Sequence, residues 1–451
     1  MERADVIIIG SGQAGVPLAA DWANEGKRVV LFERGALGGS CVNYGCTPSK
    51  ALLGAAHAAG RARQAEKLGI HADLRIDFPA VMKRVREIRE QWRSGVEKRL
   101  EKAKVRVVAA EASFAGLGKV RGGDVEVEAP LIVINTGTGP ASPSIPGLNG
   151  LPYLTSNNIF DLEELPERTV VIGGGYVGLE LGQGLARLGS QVTIVNTESH
   201  LLAHEESDVG EALAEAFERD GIELRLSAET TEISKDKSEY RIQLKSGEEL
   251  RSDALLIATG RQPNTSSLNA EAAGVKLDDQ GFIKIDDQFW TGAHGVFAVG
   301  DAARQPAFTH VSYEDYRRLK AIVAGGSRTR DDRALAYAVY TEPQVGRVGL
   351  TEKQAAEKGY QPRSVTMPVT KIARAVEWGH DIGFYRLVVC RKTDKILGAA
   401  LVGYEAAELV HVLLAHIEAG STWHRLDESV HIHPTYGEGL PSLARLLNDP
   451  E

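Results

Sequence analysis

Residues 5–15 read DVIIIGSGQAG, a short apolar run that leads into three closely spaced glycines. An apolar segment of helical character follows to about residue 25, and a second apolar run at residues 28–32 ends at Glu33. Strand, glycine turn, helix, strand and acid occur here in the order of a dinucleotide-binding βαβ unit. We therefore predict that the chain begins with a parallel α/β sheet of the Rossmann type.

Each glycine of this turn has its own task in such a unit. Gly10 makes the tight turn, Gly12 lets the backbone approach a pyrophosphate, and Gly15 lets the helix pack closely on the strand. The phosphates would sit at the helix N-terminus, where free N–H groups favour an anion. Glu33 is placed at the strand end to accept hydrogen bonds from an adenosine ribose.

The same arrangement occurs a second time. Residues 169–178 read TVVIGGGYVG, and a helical segment and a strand at residues 191–195 follow them. One such pattern alone is a weak signal, because glycine turns also arise by chance and from structural need. Two copies in complete context are strong, so we predict a second dinucleotide site with Gly173, Gly175 and Gly178 in its turn.

The rest of the pattern defines the fold class. Residues 78–104 mix apolar spacings of three and four, which predicts a long amphipathic helix. From about residue 335, strands and helices alternate without a phosphate loop. The sequence predicts an α/β protein with two Rossmann-like dinucleotide-binding domains and a C-terminal α+β domain. Further strand-to-turn junctions lie at Thr136-Gly137, Gly260-Arg261 and Gly300-Asp301.

The overall composition fits a multidomain globular protein. The chain has 451 residues, 43% hydrophobic and 25% charged, and this length predicts two or three domains. Its net charge of −9 includes no basic block of the kind that binds nucleic acid. Without a signal peptide, a membrane-length apolar run or a disulfide framework, we expect a cytoplasmic protein that binds neither membrane nor nucleic acid.

Two of the three cysteines, Cys41 and Cys46, lie close together before an alanine-rich helical segment. A helix N-terminus favours the reactive thiolate, so the pair can serve as a redox centre. Half of a zinc site and an incidental pair are the alternatives, but zinc needs two further Cys or His ligands at short spacing. Spacing alone leaves all three interpretations open. Cys390, in an apolar run, is most simply a buried strand residue.

Three longer motifs connect these features. Residues 39–50 read GSCVNYGCTPSK, residues 291–301 read TGAHGVFAVGD, and residues 433–438 read HPTYGE. Together with the two fingerprints, they resemble the motifs of the pyridine nucleotide–disulfide oxidoreductases, a family that includes dihydrolipoamide dehydrogenase, glutathione reductase and mercuric reductase. The resemblance covers essentially the whole chain. It implies an enzyme that passes electrons from NAD(P)H through FAD to a redox disulfide.

The resemblance implies a role for each catalytic residue. Cys46 would lie next to the flavin, and Cys41 would exchange with the substrate. His433 would be the base that this exchange needs. Glu438 would orient the imidazole and stabilise its cation.

Other residues would support the cofactors. Lys50 and Glu180 match a charged pair that lies near the flavin ring in this family. Tyr176 matches an aromatic side chain that covers the flavin until nicotinamide displaces it. A role in packing alone is an equally good interpretation of Tyr176. No resident metal is expected. The residues expected to contact FAD or the nicotinamide nucleotide are Gly10, Gly12, Gly15, Glu33, Gly39, Ser40, Lys50, Thr136, Gly137, Gly173, Gly175, Tyr176, Gly178, Asn196, Gly260, Arg261, Gly300 and Asp301.

The resemblance also implies a domain arrangement. It predicts an FAD domain in two parts, residues 1–148 and 265–334, around an inserted NAD(P) domain, residues 149–264. Residues 335–451 would form a dimerisation domain. In this family the C-terminal motif completes the active site of the partner subunit, so we expect a homodimer.

Specificity depends on a few positions. Asn196 stands where NAD-selective members carry an acid and NADP-selective members have arginines nearby. Glu198, Glu205 and Glu206 would repel a 2′-phosphate, which favours NADH. We expect a small disulfide or dithiol as substrate. The alternatives are Hg(II) or another soft metal ion bound by the two thiols, and a redox-responsive binding protein. Residues 446–451 lack the cysteine pair with which mercuric reductases deliver metal.

Overall fold

The first glycine fingerprint lies in the middle of a parallel sheet. The computed structural model describes residues 2–448, and in it Val6–Ile9 pairs in parallel with Val29–Glu33 and with Leu131–Ile134. One edge strand comes from beyond the second fingerprint, so two distant parts of the chain build this sheet. The strands in spatial order are Val296–Ala298, Leu131–Ile134, Val6–Ile9, Val29–Glu33 and Arg106–Ala109.

The second fingerprint occupies a separate parallel sheet. Helix Tyr176–Leu188 connects Arg168–Ile172 to its parallel neighbour Gln191–Val195. The spatial order of this sheet is Glu223–Arg225, Gln191–Val195, Arg168–Ile172 and Ala254–Ile257. The prediction of two Rossmann-like units is confirmed.

The C-terminal part is an antiparallel sheet with helices packed against it. Helix Ala406–Glu418 covers strands of this sheet. Cys390 ends a strand and is 4% exposed, which agrees with its interpretation as a buried residue. The strands in spatial order are Ala336–Val339, Gln344–Gly349, Ile396–Gly403, Phe384–Cys390 and Pro362–Pro368. The predicted α+β character of this part is confirmed.

Smaller sheets and the helices complete the fold. One small sheet contains Glu2–Arg3, Val125–Glu128, Lys119–Gly122 and Ala112–Gly116; another contains Thr230–Asp236, Glu239–Leu244 and Glu249–Ser252; and a third pairs Thr138–Pro140 with Arg261–Pro263. Among the described residues, the α-helices are Gly15–Asn24, Gly39–Asn43, Cys46–Gln64, Phe78–Lys102, Tyr176–Leu188, Ser207–Arg219, Thr309–Val323, Glu352–Glu357, Ala373–Glu377, Ala406–Glu418, Trp423–Asp427 and Gly439–Arg445.

The predicted long helix is slightly shorter than the sequence pattern indicates. It begins after Asp77, whose carboxylate caps it by accepting a hydrogen bond from the Ala80 N–H at 3.0 Å. It ends at Lys102 rather than at residue 104, because Lys104 takes a left-handed backbone with φ of 58°. The apolar spacing alone does not mark this stop.

Helix Cys46–Gln64 links the two parallel sheets, and we call it the redox helix. It packs against Tyr176–Leu188, which belongs to the second fingerprint, and against Phe78–Lys102. Its first turn therefore lies where the carboxyl ends of the first sheet face the second unit, which is the usual ligand position in open α/β sheets.

Candidate active site

A cavity of about 1180 Å³ runs between the two dinucleotide units. It begins at the first glycine turn, passes the cysteine pair and reaches the second fingerprint. The predicted site residues that line it are Gly10, Gly12, Glu33, Gly39, Ser40, Cys41, Cys46, Lys50, Thr136, Gly137, Tyr176, Glu180, Arg261 and Asp301. Sequence motifs from distant parts of the chain thus meet around one space.

The first glycine turn is closed so tightly that side chains are excluded. Gly10 has φ of +100°, and a Cβ there would collide with the Asn135 carbonyl. A Cβ on Gly15 would collide with the carbonyl of Gly10, so the helix sits directly against the strand end. The Asn135 amide donates to the Gly10 carbonyl at 3.2 Å and fixes the turn. This leaves bare backbone facing the cavity.

Glu33 is held at the cavity wall. Its carboxylate accepts hydrogen bonds from the Ser11 N–H at 2.9 Å and the Ser11 hydroxyl at 2.6 Å. The Gly35 N–H donates to the other carboxylate oxygen at 2.8 Å. The acid predicted for the ribose is therefore oriented by the glycine turn that would bind the phosphates.

Asp301 belongs to a network of hydrogen-bonded side chains. The Thr138 hydroxyl donates to its carboxylate at 2.7 Å and accepts from Arg261 Nε at 2.7 Å. Behind it, the Gly300 N–H donates at 3.0 Å to Asp315, which is fully buried and whose carboxylate pKa is raised by that burial despite a neighbouring arginine. Sequence reasoning missed Thr138 and Asp315, because neither lies in a recognisable motif.

The two active-site thiols have different environments. Cys41 lies in the short helix Gly39–Asn43, and Cys46 is the first residue of the redox helix, exposed to the cavity. The Cys46 thiol is influenced first by the neighbouring Cys41 thiol and then by the Thr309 hydroxyl, which lies 3.0 Å from Cys46 Sγ; both lower the Cys46 pKa, to about 6. The neighbouring Cys46 sulfur, together with burial, raises the Cys41 pKa. These opposite shifts favour the thiolate form at Cys46 rather than at Cys41.

Lys50 and Glu180 form the predicted pair. Their side chains are 2.6 Å apart, with Glu180 buried on the helix of the second fingerprint. Burial alone would lower the Lys50 pKa, but the charge of Glu180, its hydrogen bond to Lys50 and the nearby Cys46 and Tyr340 side chains together outweigh burial and raise that pKa. The Tyr340 N–H donates to the other Glu180 oxygen at 2.9 Å, and the Lys50 ammonium lies 4.5 Å from the Tyr340 ring centre. A fixed positive charge thus lies beside the cavity.

Tyr176 lies at the cavity edge against a stack of aromatic rings. Its ring centre is 6.0 Å from Phe308, which stacks on Tyr337 at 4.9 Å and on His310 at 5.6 Å. Burial raises the pKa of the Tyr176 hydroxyl. This position is compatible with both interpretations of Tyr176, the gate and the packing residue.

The second glycine turn is organised by Asn196. The Gly174 N–H donates to its amide oxygen at 3.2 Å, and its amide nitrogen donates to the His200 carbonyl at 2.9 Å. Asn196 is 8% exposed, and these contacts shape the loop around it. A Cβ on Gly178 would collide with the Gly173 carbonyl, so this helix also packs directly on its strand.

The charges of the adjacent loop differ from the sequence interpretation. Glu205 is buried and contacts the Tyr337 hydroxyl, with Arg347 Nε 3.7 Å away. Glu206 pairs with Arg386 at 2.7 Å. The expectation that both glutamates repel a phosphate is therefore wrong, because arginines from the C-terminal sheet neutralise them.

His433 and Glu438 form a pair away from the cavity. The His433 Nδ1 lies 2.7 Å from the Glu438 carboxylate, while the His433 side chain is 72% exposed. Neither residue lines the cavity. A single chain thus brings together the cysteines and the charged pair but leaves the predicted base outside.

The residues around the cavity fit FAD. The glycine turn provides a bare cradle for phosphate, Glu33 and Asp301 provide acceptors, and the Thr136 hydroxyl is buried without a hydrogen-bond partner among residues 2–448. Within the same residues, no group of three or more His, Cys, Asp or Glu side chains could hold a metal ion. None of the helices in the described part is both long and apolar enough to cross a bilayer.

Comparison with known families assigns the chain. A family model described as pyridine nucleotide-disulphide oxidoreductase matches residues 4–315, and the model of that family's dimerisation domain matches residues 335–444. The chain belongs to the pyridine nucleotide–disulfide oxidoreductases, which are NAD(P)H-dependent flavoproteins. It is therefore an FAD- and pyridine nucleotide-dependent enzyme, and the dimerisation domain supports a homodimer. The alternative of a binding protein without catalysis is set aside.

The relatives differ in their named activities. A dihydrolipoyl dehydrogenase of Halobacterium salinarum is 34% identical and covers 98% of this chain and 95% of its own. A mercuric reductase of Bacillus cereus is 32% identical over 99% of this chain and 72% of its own. The solved Cu(II) complex of the HOCl-induced flavoprotein disulfide reductase RclA from Escherichia coli has a TM-score of 0.91 at 32% identity, covering 99% of this chain and 100% of that one.

Proposed function

We propose that this enzyme reduces a small disulfide, or oxidises the corresponding dithiol, through Cys41 and Cys46. The observation that carries the proposal is the position of both thiols on the wall of one cavity, with the Thr309 hydroxyl 3.0 Å from Cys46 Sγ. Thiol–disulfide exchange needs one thiol to attack the substrate and a second, close to it, to resolve the mixed disulfide.

The exchange moves two electrons from the Cys41 and Cys46 thiols to the substrate disulfide in two steps. Cys41, once deprotonated, attacks one sulfur of the substrate disulfide, and the substrate S–S bond breaks to release the first thiol after it takes up a proton. The Cys46 thiolate then attacks Cys41 Sγ of the mixed disulfide, the bond between Cys41 Sγ and the substrate sulfur breaks as the Cys41–Cys46 disulfide forms, and the second substrate sulfur leaves as a thiolate that takes up a proton from water. FAD, when bound, supplies the two-electron link between nicotinamide and this disulfide.

Several residues would hold and tune that cofactor. Gly10 and its turn would face the pyrophosphate, Glu33 the adenosine ribose, and Asp301 the ribityl chain. Lys50, fixed by Glu180, would place a positive charge near the flavin ring. These assignments are supported by the position of each residue on the cavity wall.

A base from a second copy of the chain would start the exchange. The raised pKa of Cys41 means that its proton must be removed before it attacks. His433 is exposed, paired with Glu438, and absent from the cavity of its own chain. We therefore assign the role of base to His433 of the partner subunit, with Glu438 of the partner subunit orienting it.

The proposed domains follow the family arrangement. The FAD domain would comprise residues 1–148 and 265–334, the NAD(P) domain residues 149–264 and the dimerisation domain residues 335–451. The two distant segments that build the first parallel sheet support this division.

The substrate class can be tested with one panel of acceptors. Purified holoenzyme would be assayed for NAD(P)H oxidation with lipoamide, glutathione disulfide, Hg(II) and Cu(II). We expect turnover with at least one disulfide. Turnover with the metal ions alone would contradict the proposal.

A soft metal ion is the second candidate. One relative is named a mercuric reductase, and another was solved as a Cu(II) complex. The Cys41 and Cys46 thiols could bind such an ion as substrate, because thiolates favour soft metals. Metal-only turnover in the panel would favour this function.

For the nucleotide we propose NADH. Asn196 offers no positive charge to a 2′-phosphate, and Glu198, two positions further along the chain, adds a negative charge to this loop, although Glu205 and Glu206 no longer contribute. The measurement is kcat/KM with NADH and with NADPH. A clear preference for NADPH would contradict the proposal.

A further inference from the structure

Two hydrogen bonds anchor residues 433–438, which we call the catalytic turn. Arg374 Nη2 donates to the Pro434 carbonyl at 2.7 Å. The Tyr436 hydroxyl is hydrogen-bonded to Nδ1 of His380. Both anchoring residues come from one short helix and the loop directly after it. The turn is therefore tied to a neighbouring element on either side of Thr435.

The two ends of this turn are held differently in the single chain. Ile432, just before it, is 79% exposed and the His433 side chain is 72% exposed, as expected of a segment that would face the partner subunit. The Tyr436 ring packs against the core of the C-terminal sheet, and the hydrogen bond of its hydroxyl to His380 adds a fixed direction to this packing. The tie at Tyr436 lies between His433 and Glu438 in the chain, where it can set their 2.7 Å contact.

The imidazole of His380 is itself fixed by aromatic rings. It stacks on Tyr404 with ring centres 4.2 Å apart and an angle of 22° between planes. The Tyr436 ring lies 6.0 Å away, also stacked, and the Arg61 guanidinium lies 5.0 Å from the Tyr404 ring centre. Since a stacked ring cannot turn freely, its Nδ1 stays directed at the Tyr436 hydroxyl.

The pKa shifts of His380 and Tyr436 indicate which of the two donates the hydrogen bond between them. Burial lowers the His380 pKa, an effect that Glu342 and Asp381 oppose and that Arg61 and Lys67 support. In the neighbouring phenol, burial raises the Tyr436 pKa. At neutral pH the phenol therefore donates to a neutral imidazole.

We propose that Tyr436 and His380 are positioning residues that hold the catalytic turn so that His433 can serve the thiols of the partner subunit. This inference rests on the proposed role of His433. Neither residue lines the cavity, so they would act only on the step that uses His433. The step that brings electrons from NAD(P)H to the enzyme would not depend on them.

The test separates the two half-reactions of the holoenzyme by stopped-flow absorbance. For Tyr436→Phe we expect reoxidation of the reduced enzyme by a small disulfide to slow about five- to tenfold, the loss of one hydrogen bond. Reduction of the flavin by NAD(P)H should keep its wild-type rate. Tyr360→Phe, at a tyrosine that is 45% exposed, is the matched control and should change neither rate.

A second pair of variants examines the acceptor. His380→Asn keeps a polar atom near the position of Nδ1 and should retain most of the reoxidation rate, whereas His380→Leu should lose it as Tyr436→Phe does. Unchanged reoxidation in both Tyr436→Phe and His380→Leu, or an equal fall in both half-reactions, would overturn the inference.

The variant His433→Gln distinguishes a failure of the positioning role from a failure of the proposed role of His433 as the base. If His433→Gln leaves reoxidation unchanged, the proposed role of His433 fails, and the positioning role fails with it. If His433→Gln slows reoxidation but Tyr436→Phe does not, only the positioning role is overturned.

Discussion

Cys41 and Cys46 are chemically different residues although only four positions separate them in the chain. The difference comes first from the neighbouring thiols themselves, each of which shifts the pKa of the other in the opposite direction, and then from the Thr309 hydroxyl, which lies 3.0 Å from Cys46 Sγ and stabilises its thiolate. The sequence identifies the pair and, by resemblance, its order. Nothing in the sequence identifies Thr309, because it is more than 250 positions away in a helix without a motif.

Replacing the Thr309 hydroxyl should weaken the Cys46 thiolate. In reduced enzyme the Cys46 thiolate should titrate near pH 6, being lost as the pH falls below that value. Thr309→Val should raise the midpoint by roughly one unit, because one hydrogen bond to the charged form is removed. The measurement is thiolate absorbance against pH, with Cys46→Ser as the blank.

Thr309→Ser keeps the hydroxyl and serves as the control for this titration. Its midpoint should stay near the wild-type value. An equal shift in Thr309→Ser and Thr309→Val would show that packing, and not the hydroxyl, sets the Cys46 pKa.

Local patterns predict the elements that surround the site, but not all of their ends. Both strand–turn–helix units occur where periodicity and glycine spacing place them. These signals are local, since sterics and burial at each position determine them. The end of the helix Phe78–Lys102 depends instead on the left-handed conformation of Lys104, which apolar spacing does not reveal.

The first glycine turn should not tolerate a side chain. Gly10→Ala would bring a Cβ against the Asn135 carbonyl at a φ of +100°, so the turn must open. We expect loss of most bound FAD and a lower Tm, measured by flavin absorbance per protein and by thermal unfolding.

Gly54→Ala is the control for the Gly10→Ala substitution. Gly54 lies within the redox helix, and a Cβ there meets nothing within 4 Å. This change should retain FAD and stabilise the protein by about 0.5–1 kcal/mol, because alanine favours a helix over glycine. Normal FAD content in Gly10→Ala would contradict the assignment of this turn.

Across the whole molecule, contacts between distant parts of the chain determine the charge of the nucleotide loop and the position of the catalytic histidine, which the sequence alone does not reveal. Arg347 and Arg386 neutralise Glu205 and Glu206 from a sheet more than 130 positions away, which overturned a charge argument made from neighbours in sequence. His433 lies outside the cavity of its own chain. The motif predicted a catalytic histidine, but His433 can reach a pair of active-site thiols only in the homodimer that the family implies.

Mixed dimers should show that the site is shared. Homodimers of Cys41→Ser and of His433→Gln should both be nearly inactive in disulfide reduction. A purified heterodimer of the two contains one intact site and one doubly altered site, so it should have about half the wild-type turnover per dimer.

The heterodimer result has a clear contrary outcome. Turnover no higher than that of the two parent homodimers would mean that His433 does not act across the interface. Wild-type and parent subunits carrying the same tags are the controls for exchange between chains.

In the proposed function electrons reach the acceptor through Cys41, and the Cys41→Ser holoenzyme shows whether they do. NADH should still reduce the flavin at close to the wild-type rate, because the cavity and Lys50 are unchanged. Reduction of the small disulfide should fall at least 100-fold, since the thiol that exchanges with substrate is gone. Disulfide reduction at the wild-type rate in Cys41→Ser would mean that electrons reach the acceptor without Cys41.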